Sequence, residues 1–165
     1  MNKRMTIRKW FWVWDFEKEE DWLNEMALQG WALSGVGFAT FHFTVSEPGA
    51  YTIRLEMHGH DTNYLGFLQE TGVEYIGRLF AWVYLRKRTE AGTFDIFSDI
   101  DSKVSHLARI CRMLLVVGAA NLGIGLINPS SAGRVNLLCG ALLMYALGRI
   151  HGKKEALERE RALRE

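Results

Sequence analysis

The sequence predicts an α+β fold of two successive β-α-β-β units, followed by an α-helical transmembrane hairpin. Three observations carry this. Between residues 7 and 88 the apolar pattern switches between a two-residue and a helical period, in the same order twice. Gly30 and Gly72, 42 residues apart, each end a helical pattern. Two apolar runs, residues 107–127 and 135–150, are separated only by NPSSAGR, Asn128–Arg134.

Ile7–Trp14 (IRKWFWVW) predicts the first strand from its aromatic and β-branched content. Asp15 stands where a helix cap belongs, and Glu17, Glu19 and Glu20 suit the positive end of the helix that follows. These acids, with Asp21, read as a solvated helix start and not as a paired-carboxylate site. Trp22, Leu23, Met26 and Ala27 recur at helical spacing, and Gly30 ends the run. Trp31–Val36 and Phe38–Val45 predict a hairpin, Pro48-Gly49 a turn, and Tyr51–Met57 a strand with Tyr51, Ile53, Leu55 and Met57 on one face.

The second unit repeats the order. Asp61 or Thr62 is placed to cap a helix whose stripe is Tyr64, Leu65 and Leu68, with Gly72 as the stop. Val73–Gly77 and Phe80–Lys87 predict another hairpin. LNEMALQGWAL is echoed by LGFLQETGVEY. The expected architecture is an antiparallel-rich sheet with both helices on one face, formed by repeats at about 7–46 and 50–88 within a domain of residues 1–100.

Trp10, Trp12 and Trp14 fall on one face of the expected first strand, and Phe11 and Val13 on the other. A strand apolar on both faces needs cover on both. Helices supply one cover; the other face either fills the domain's own core, meets a partner, second protomer or membrane, or lines a small-molecule pocket. Trp10, Trp12, Trp14 and Trp82 are the candidate interaction face.

A bilayer core of roughly 30 Å needs about 20 apolar helical residues. The first run meets this with Arg109 and Arg112 at its watery end, since Met113–Ile127 carries no charge. The second is uncharged only over Val135–Gly148, so Arg134 and Arg149 must reach the headgroups from its ends. A buried hairpin in a soluble core and a re-entrant second segment are the competing readings, and the lack of a polar face argues against the first. Lys103, Arg109 and Arg112 precede the hairpin, Arg149, Lys153 and Lys154 follow it, and the turn holds only Arg134. By the positive-inside rule both termini are cytoplasmic. The aromatic run after MNKRMTIRK is too short and too soon followed by acids for an export signal, so none is expected. Ala119 with Gly123, and Asn121 with Gly125, place small or polar residues at i, i+4, which permits close helix approach within the hairpin or between copies. Residues 152–165 predict a charged helical tail, with Glu155–Arg159 and Glu160–Arg164 pairs.

Charge divides the chain at the same place. Residues 1–100 hold ten Lys and Arg against fourteen Asp and Glu, a net −4. Residues 101–165 hold ten against five, a net +5, and the whole is +1. An acidic domain is a poor nucleic-acid binder, so no nucleic-acid partner is expected. Cys111 and Cys139 fall at depths differing by more than about 10 Å, at about 1.5 Å per helical residue. A disulfide needs Cα atoms within about 7 Å, so no bridge is expected. His58 and His60, in His-Gly-His-Asp, are weak metal candidates that read better as loop residues. His42 has no visible nucleophile beside it, and GWALSGVG lacks the lysine of a phosphate loop. No catalytic residue, metal or cofactor is expected, and the chain reads as a non-enzyme.

The run KWFWVWDFEKEEDWLNEMALQGWAL, then FHFTV, EPGAYTIRLEM and GVEYIGRLFAWVYLRK, resembles a bacterial membrane-anchored family of unknown function. The likeness covers about Met5 to Ser98. Its most specific part is Lys9–Phe11, Phe16-Glu17, Glu20, Trp22-Leu23, Met26 and Gly30-Trp31, joined to Glu47-Pro48-Gly49 and Tyr51; Val73 stands where a second tryptophan is frequent. The resemblance implies a cytoplasmic domain ahead of membrane segments, in a family often encoded beside PadR-type transcriptional repressors, with no catalytic residues to carry over. The expected protein is therefore multi-pass in the bacterial inner membrane, with the lipid bilayer as a partner. It is expected to act by interaction or sensing, alone, as a homo-oligomer or beside a membrane-protein partner. An accessory subunit assembled through the hairpin and a small-molecule or lipid-binding domain are the alternatives.

Overall fold

The computed structural model describes residues 3–58, 62–96 and 99–163, which fall into two units, Met1–Ile96 and Phe97–Glu165. The first is a mixed α+β unit ordered β1 (Arg4–Arg8), α1 (Phe16–Leu28), β2 (Trp31–Gly37), β3 (Thr40–Val45), β4 (Tyr51–Met57), α2 (Thr62–Glu70), β5 (Val73–Leu79) and β6 (Trp82–Arg88). The sequence predicts one antiparallel-rich sheet; backbone pairing makes two of three strands, in the orders β1-β3-β2 and β4-β6-β5. β2 and β5 come close, and a Cβ built on Gly77 lies 3.0 Å from Val36 Cγ2. No ladder joins them among the described residues. Arg86 Nη1 donates to the Leu33 carbonyl at 2.6 Å, taking a β2 acceptor that a neighbouring strand would need. Both strands also carry a register shift, at Leu33/Gly35 and at Tyr75/Gly77, and such bulges interrupt an edge.

The first strand ends sooner than its composition predicts. β1 pairs with β3 from Arg4↔Thr44 to Arg8↔Thr40, and one further bond runs from Lys9 N to Ala39 O. There β3 turns back through Phe38-Ala39, so residues 10–14 have no ladder to join. They run extended into a 3-10 turn, Val13–Asp15, that leads into α1. Asp15 occupies the N-cap position but makes no capping hydrogen bond; its carboxylate pairs with Lys18 at 2.7 Å instead.

α1 and α2 take opposite faces of the second sheet, not the single face predicted. Leu23, Met26 and Ala27 of α1 pack with Leu33, Phe41 and Phe43 of the first sheet and with Ile53, Leu55 and Tyr84 of the second. Leu65 and Leu68 of α2 pack with Val73, Val83 and Leu85. Tyr84 lies between Val83 and Leu85 on β6, so the two-residue alternation of the strand sends them to different helices. Tyr64 of α2 donates to Glu56 at 2.7 Å from the same side as Val83.

α1 also closes the free edge of β4. Asn24 Nδ2 donates to the Ile53 carbonyl at 3.0 Å, and Ile53 N donates back to Asn24 Oδ1 at 2.8 Å. One turn earlier, Glu20 Oε2 accepts from Leu55 N at 2.8 Å. A helix thereby satisfies edge groups that would otherwise invite another strand.

The second unit is α3 (Ile100–Ile127) and α4 (Ser131–Ala162), joined by Asn128–Ser130. Asp99 caps α3 by accepting from Ser102 N at 2.6 Å, and Ser130 caps α4 by accepting from Gly133 N at 3.4 Å. The cap at Ser130 starts α4 before Arg134, so the helix begins four residues ahead of the predicted apolar segment, 135–150. The tail continues the helix, and Lys154–Glu158 at 2.9 Å and Arg161–Asp101 at 2.7 Å pair along it and across to α3. Both helices are apolar and long enough to cross a membrane.

Candidate functional site

The first unit carries an exposed aromatic ridge. Trp10 is 53% and Trp12 43% exposed, and Phe38, at the β2–β3 turn, is 65% exposed. Trp10 meets Phe38 edge to face with centroids 5.5 Å apart and meets Trp12 in the same way at 5.5 Å. Trp12 stacks on Trp14 at 5.0 Å with planes 4° apart. These geometries satisfy the ring quadrupoles, which holds the ridge in shape without burying it. Release of residues 10–14 from the ladder is what lets the three indoles pack on each other.

The intervening residue goes the other way. Phe11 packs on Trp22 at 5.6 Å and on Phe41 at 6.2 Å, and the Lys9 ammonium lies 4.4 Å from the Trp22 ring centre. Trp82, the fourth predicted member, stands apart: it is half-buried, stacks on Phe16 at 5.1 Å and packs against the α1 core. The structure thus joins Trp10, Trp12 and Trp14, adds Phe38, and leaves Trp82 in the core layer.

Beside the ridge lies a basic strip. Arg4, Thr6 and Arg8 are the exposed residues of β1, and Thr6 Oγ1 bonds His42 Nδ1 at 3.0 Å on the neighbouring strand. Arg8 pairs with Thr40, two residues from Phe38, so the strip ends where the ridge begins. From Lys3 to Trp14 there are four basic residues and no acid, in a unit that is acidic as a whole. The strand expected from the sequence starts at Ile7 and leaves Arg4 outside it, so the strip is not read there although Arg4 and Arg8 share parity; Phe38 carries no signal either, because only the fold brings the turn to Trp10.

A second polar cluster links α1 to the second sheet. Tyr84 OH donates to Glu19 Oε1 at 2.6 Å, and Arg54 Nη1 lies 3.3 Å from Glu20 Oε1. Burial raises the Glu19 carboxyl above its ordinary value, opposed by the Tyr84 hydrogen bond. Glu20 is raised as well, by burial first, against the Leu55 N–H and Arg54. Burial, then the Glu19 charge, pushes the Tyr84 phenol up. These acids are not the solvated helix start that the sequence suggests: 3.6-residue geometry puts them on the core-facing side with Leu23 and Asn24. Their partners, the Tyr84 phenol, the Leu55 N–H and the Arg54 guanidinium, all lie in the second half, so they hold the two halves of the unit together.

His58 stacks on Tyr64 with centroids 4.2 Å apart, and His60 lies outside the described residues. Among the described residues, no three His, Cys, Asp or Glu side chains gather as a metal site would require.

In the hairpin, close approach rests on glycines. A Cβ on Gly118 would lie 2.5 Å from Met144 Cε, on Gly125 2.6 Å from Leu137 Cγ, and on Gly140 2.7 Å from Leu122. Of the four predicted packing residues, Gly125 is in this seam. Ala119 is exposed, Gly123 has nothing within 4 Å, and Asn121 Nδ2 donates to its own helix at Val117 O, 2.8 Å away. On α3 the seam glycines, 118 and 125, are seven residues apart, the repeat of helices that cross at a shallow angle, and not four. A groove of ≈ 470 Å³ along the hairpin is lined by Cys111, Arg112, Leu115, Met144, Leu147, Gly148 and His151.

No curated protein and no solved structure matches the chain. A family model described as "Protein of unknown function (DUF2812)" matches residues 15–119, from the start of α1 into α3. That match spans more than half of the sequence, and the chain belongs to this family of unknown function.

Proposed function

We propose that this chain is a bacterial inner-membrane protein whose α3–α4 hairpin crosses the bilayer twice, with both termini cytoplasmic. On this reading the α+β unit works by binding, not catalysis, and its working surface is the ridge of Trp10, Trp12 and Phe38. The observation that carries the reading is the surface of the hairpin. Only 22% and 17% of the most apolar stretches of α3 and α4 are buried. Leu115, Val116, Ile124, Leu126, Leu138 and Leu142 point outward and are exposed. A core helix of a soluble protein buries such residues, and a hairpin in hydrocarbon does not. Basic residues at the open end and a single arginine at the turn support the orientation.

The halves of the first unit read as copies of one β-α-β-β element. Both sheets place the third strand of their half in the middle, both second strands shift register before a glycine, and both hairpins turn through Phe-Ala. The family resemblance, with its frequent PadR-type neighbours, is in keeping with a regulatory setting. Full-length protein expressed in bacteria should stay in the membrane pellet through alkaline carbonate extraction and leave it only in detergent. Release by carbonate alone would overturn the anchoring.

A further inference from the structure

We propose that the aromatic ridge and the basic strip together dock on the anionic surface of the bilayer, with Trp10, Trp12 and Phe38 in the headgroup zone and Arg4 and Arg8 against acidic lipid. The proposal deepens the membrane reading above and rests on it. Four observations favour lipid over a protein groove. The ridge projects: Phe38 is at a two-residue hairpin turn and Trp10 lies two residues beyond the end of an edge strand, so the surface offered is a knob and not a cleft. Its chemistry is that of the interfacial belt, where indole rings with one polar edge settle between water and hydrocarbon. Its charge is complementary: the segment Lys3–Trp14 has four basic residues and no acid, although residues 1–100 carry a net −4. Acidic lipid attracts the strip while the rest of the unit is repelled, which orients the docking. Lastly, α3 follows the unit directly in the chain, so a bilayer is held within reach without any encounter step.

The chain supplies its own reporter. All six tryptophans lie in the first unit and none in the hairpin, so indole emission excited selectively reads the α+β unit alone. The full-length protein is placed in nanodiscs of phosphatidylcholine, or of phosphatidylcholine with phosphatidylglycerol, each with a small fraction of headgroup spin-labelled lipid. The expected result is stronger quenching and a blue shift in the phosphatidylglycerol discs, weakened by added salt. In Arg4→Glu/Arg8→Glu protein the quenching should fall to the level of the neutral discs, since each basic side chain near an acidic surface is worth about a five-fold change in binding. Both arginines are exposed on β1, and circular dichroism is the check that the variant folds. The wild-type comparison of the two lipid compositions needs no variant at all. Equal quenching in both discs, unmoved by the charge reversal, would overturn the proposal. Unquenched emission that shifts with protein concentration would overturn it in favour of a second copy, and unquenched emission at every concentration would overturn it outright. Failure to enter the discs would contradict the anchoring itself.

Discussion

Asn24 does at one position what a whole neighbouring strand does elsewhere: its amide gives and takes one hydrogen bond each with Ile53 on the free edge of β4. Asn24→Ala leaves both backbone groups in a half-buried site without that partner. The expected cost is about 1–3 kcal/mol, read as a lower denaturant midpoint by tryptophan emission of the detergent-solubilised protein. An unchanged midpoint would show that water replaces the amide freely. Glu19 makes a second prediction. Its folded-state carboxyl is raised above the ordinary 4.5 by burial, so the folded state holds a proton that the unfolded state releases. Stability therefore falls as pH rises from about 4.5 through the raised value. Glu19→Gln should flatten that slope, because the amide has no proton to lose. A slope as steep as in the wild type would place its origin elsewhere. None of these roles is legible in the sequence. Asn24 and Glu20 reach partners 29 and 35 positions away, and helical periodicity reports only that they share a face with Leu23.

Among the elements, those whose pattern is local were legible. Tyr51–Met57 is a strand from its alternation, and Gly30 and Gly72 stop their helices with φ of 85° and 81°. The end of β1 was not legible, because it is set by where β3 turns back and not by the composition of Trp10–Trp14. The side of the sheet that α2 takes was hidden for a related reason: β6 is apolar at Val83, Tyr84 and Leu85 alike, so alternation alone leaves both faces open to a helix. In the hairpin the small residues are visible in the sequence, but of those expected at i, i+4 only Gly125 lies in the seam between α3 and α4; Ala119 is exposed and Gly123 meets open space. That difference is testable. Gly140→Leu should force α3 and α4 apart and cost about 1–3 kcal/mol or more, seen as a lower thermal midpoint or hairpin opening in detergent. Gly123→Ala, with open space around it, should leave the hairpin unchanged or steadier. Equal effects of the two would contradict the seam.

At the scale of the whole molecule, charge and hydropathy divide the chain where the two units divide, near residue 96. The acidic α+β unit has two structural specialisations, a carboxylate-and-amide clasp between its halves and an aromatic ridge beside a basic strip. The basic hairpin has a glycine seam and an outward apolar surface. The proposed reading of these features is a cytoplasmic binding module held at a bilayer, and its central claim is that the hairpin spans the bilayer with both ends inside. Single-cysteine labelling of intact bacteria tests this most directly, with Cys111→Ser and Cys139→Ser as background and either Ser130→Cys at the turn or Leu163→Cys in the tail. With a membrane-impermeant maleimide, the account expects residue 130 to label in intact cells and residue 163 to label only after the inner membrane is opened. Labelling of residue 163 from outside, or protection of residue 130 until lysis, would contradict it.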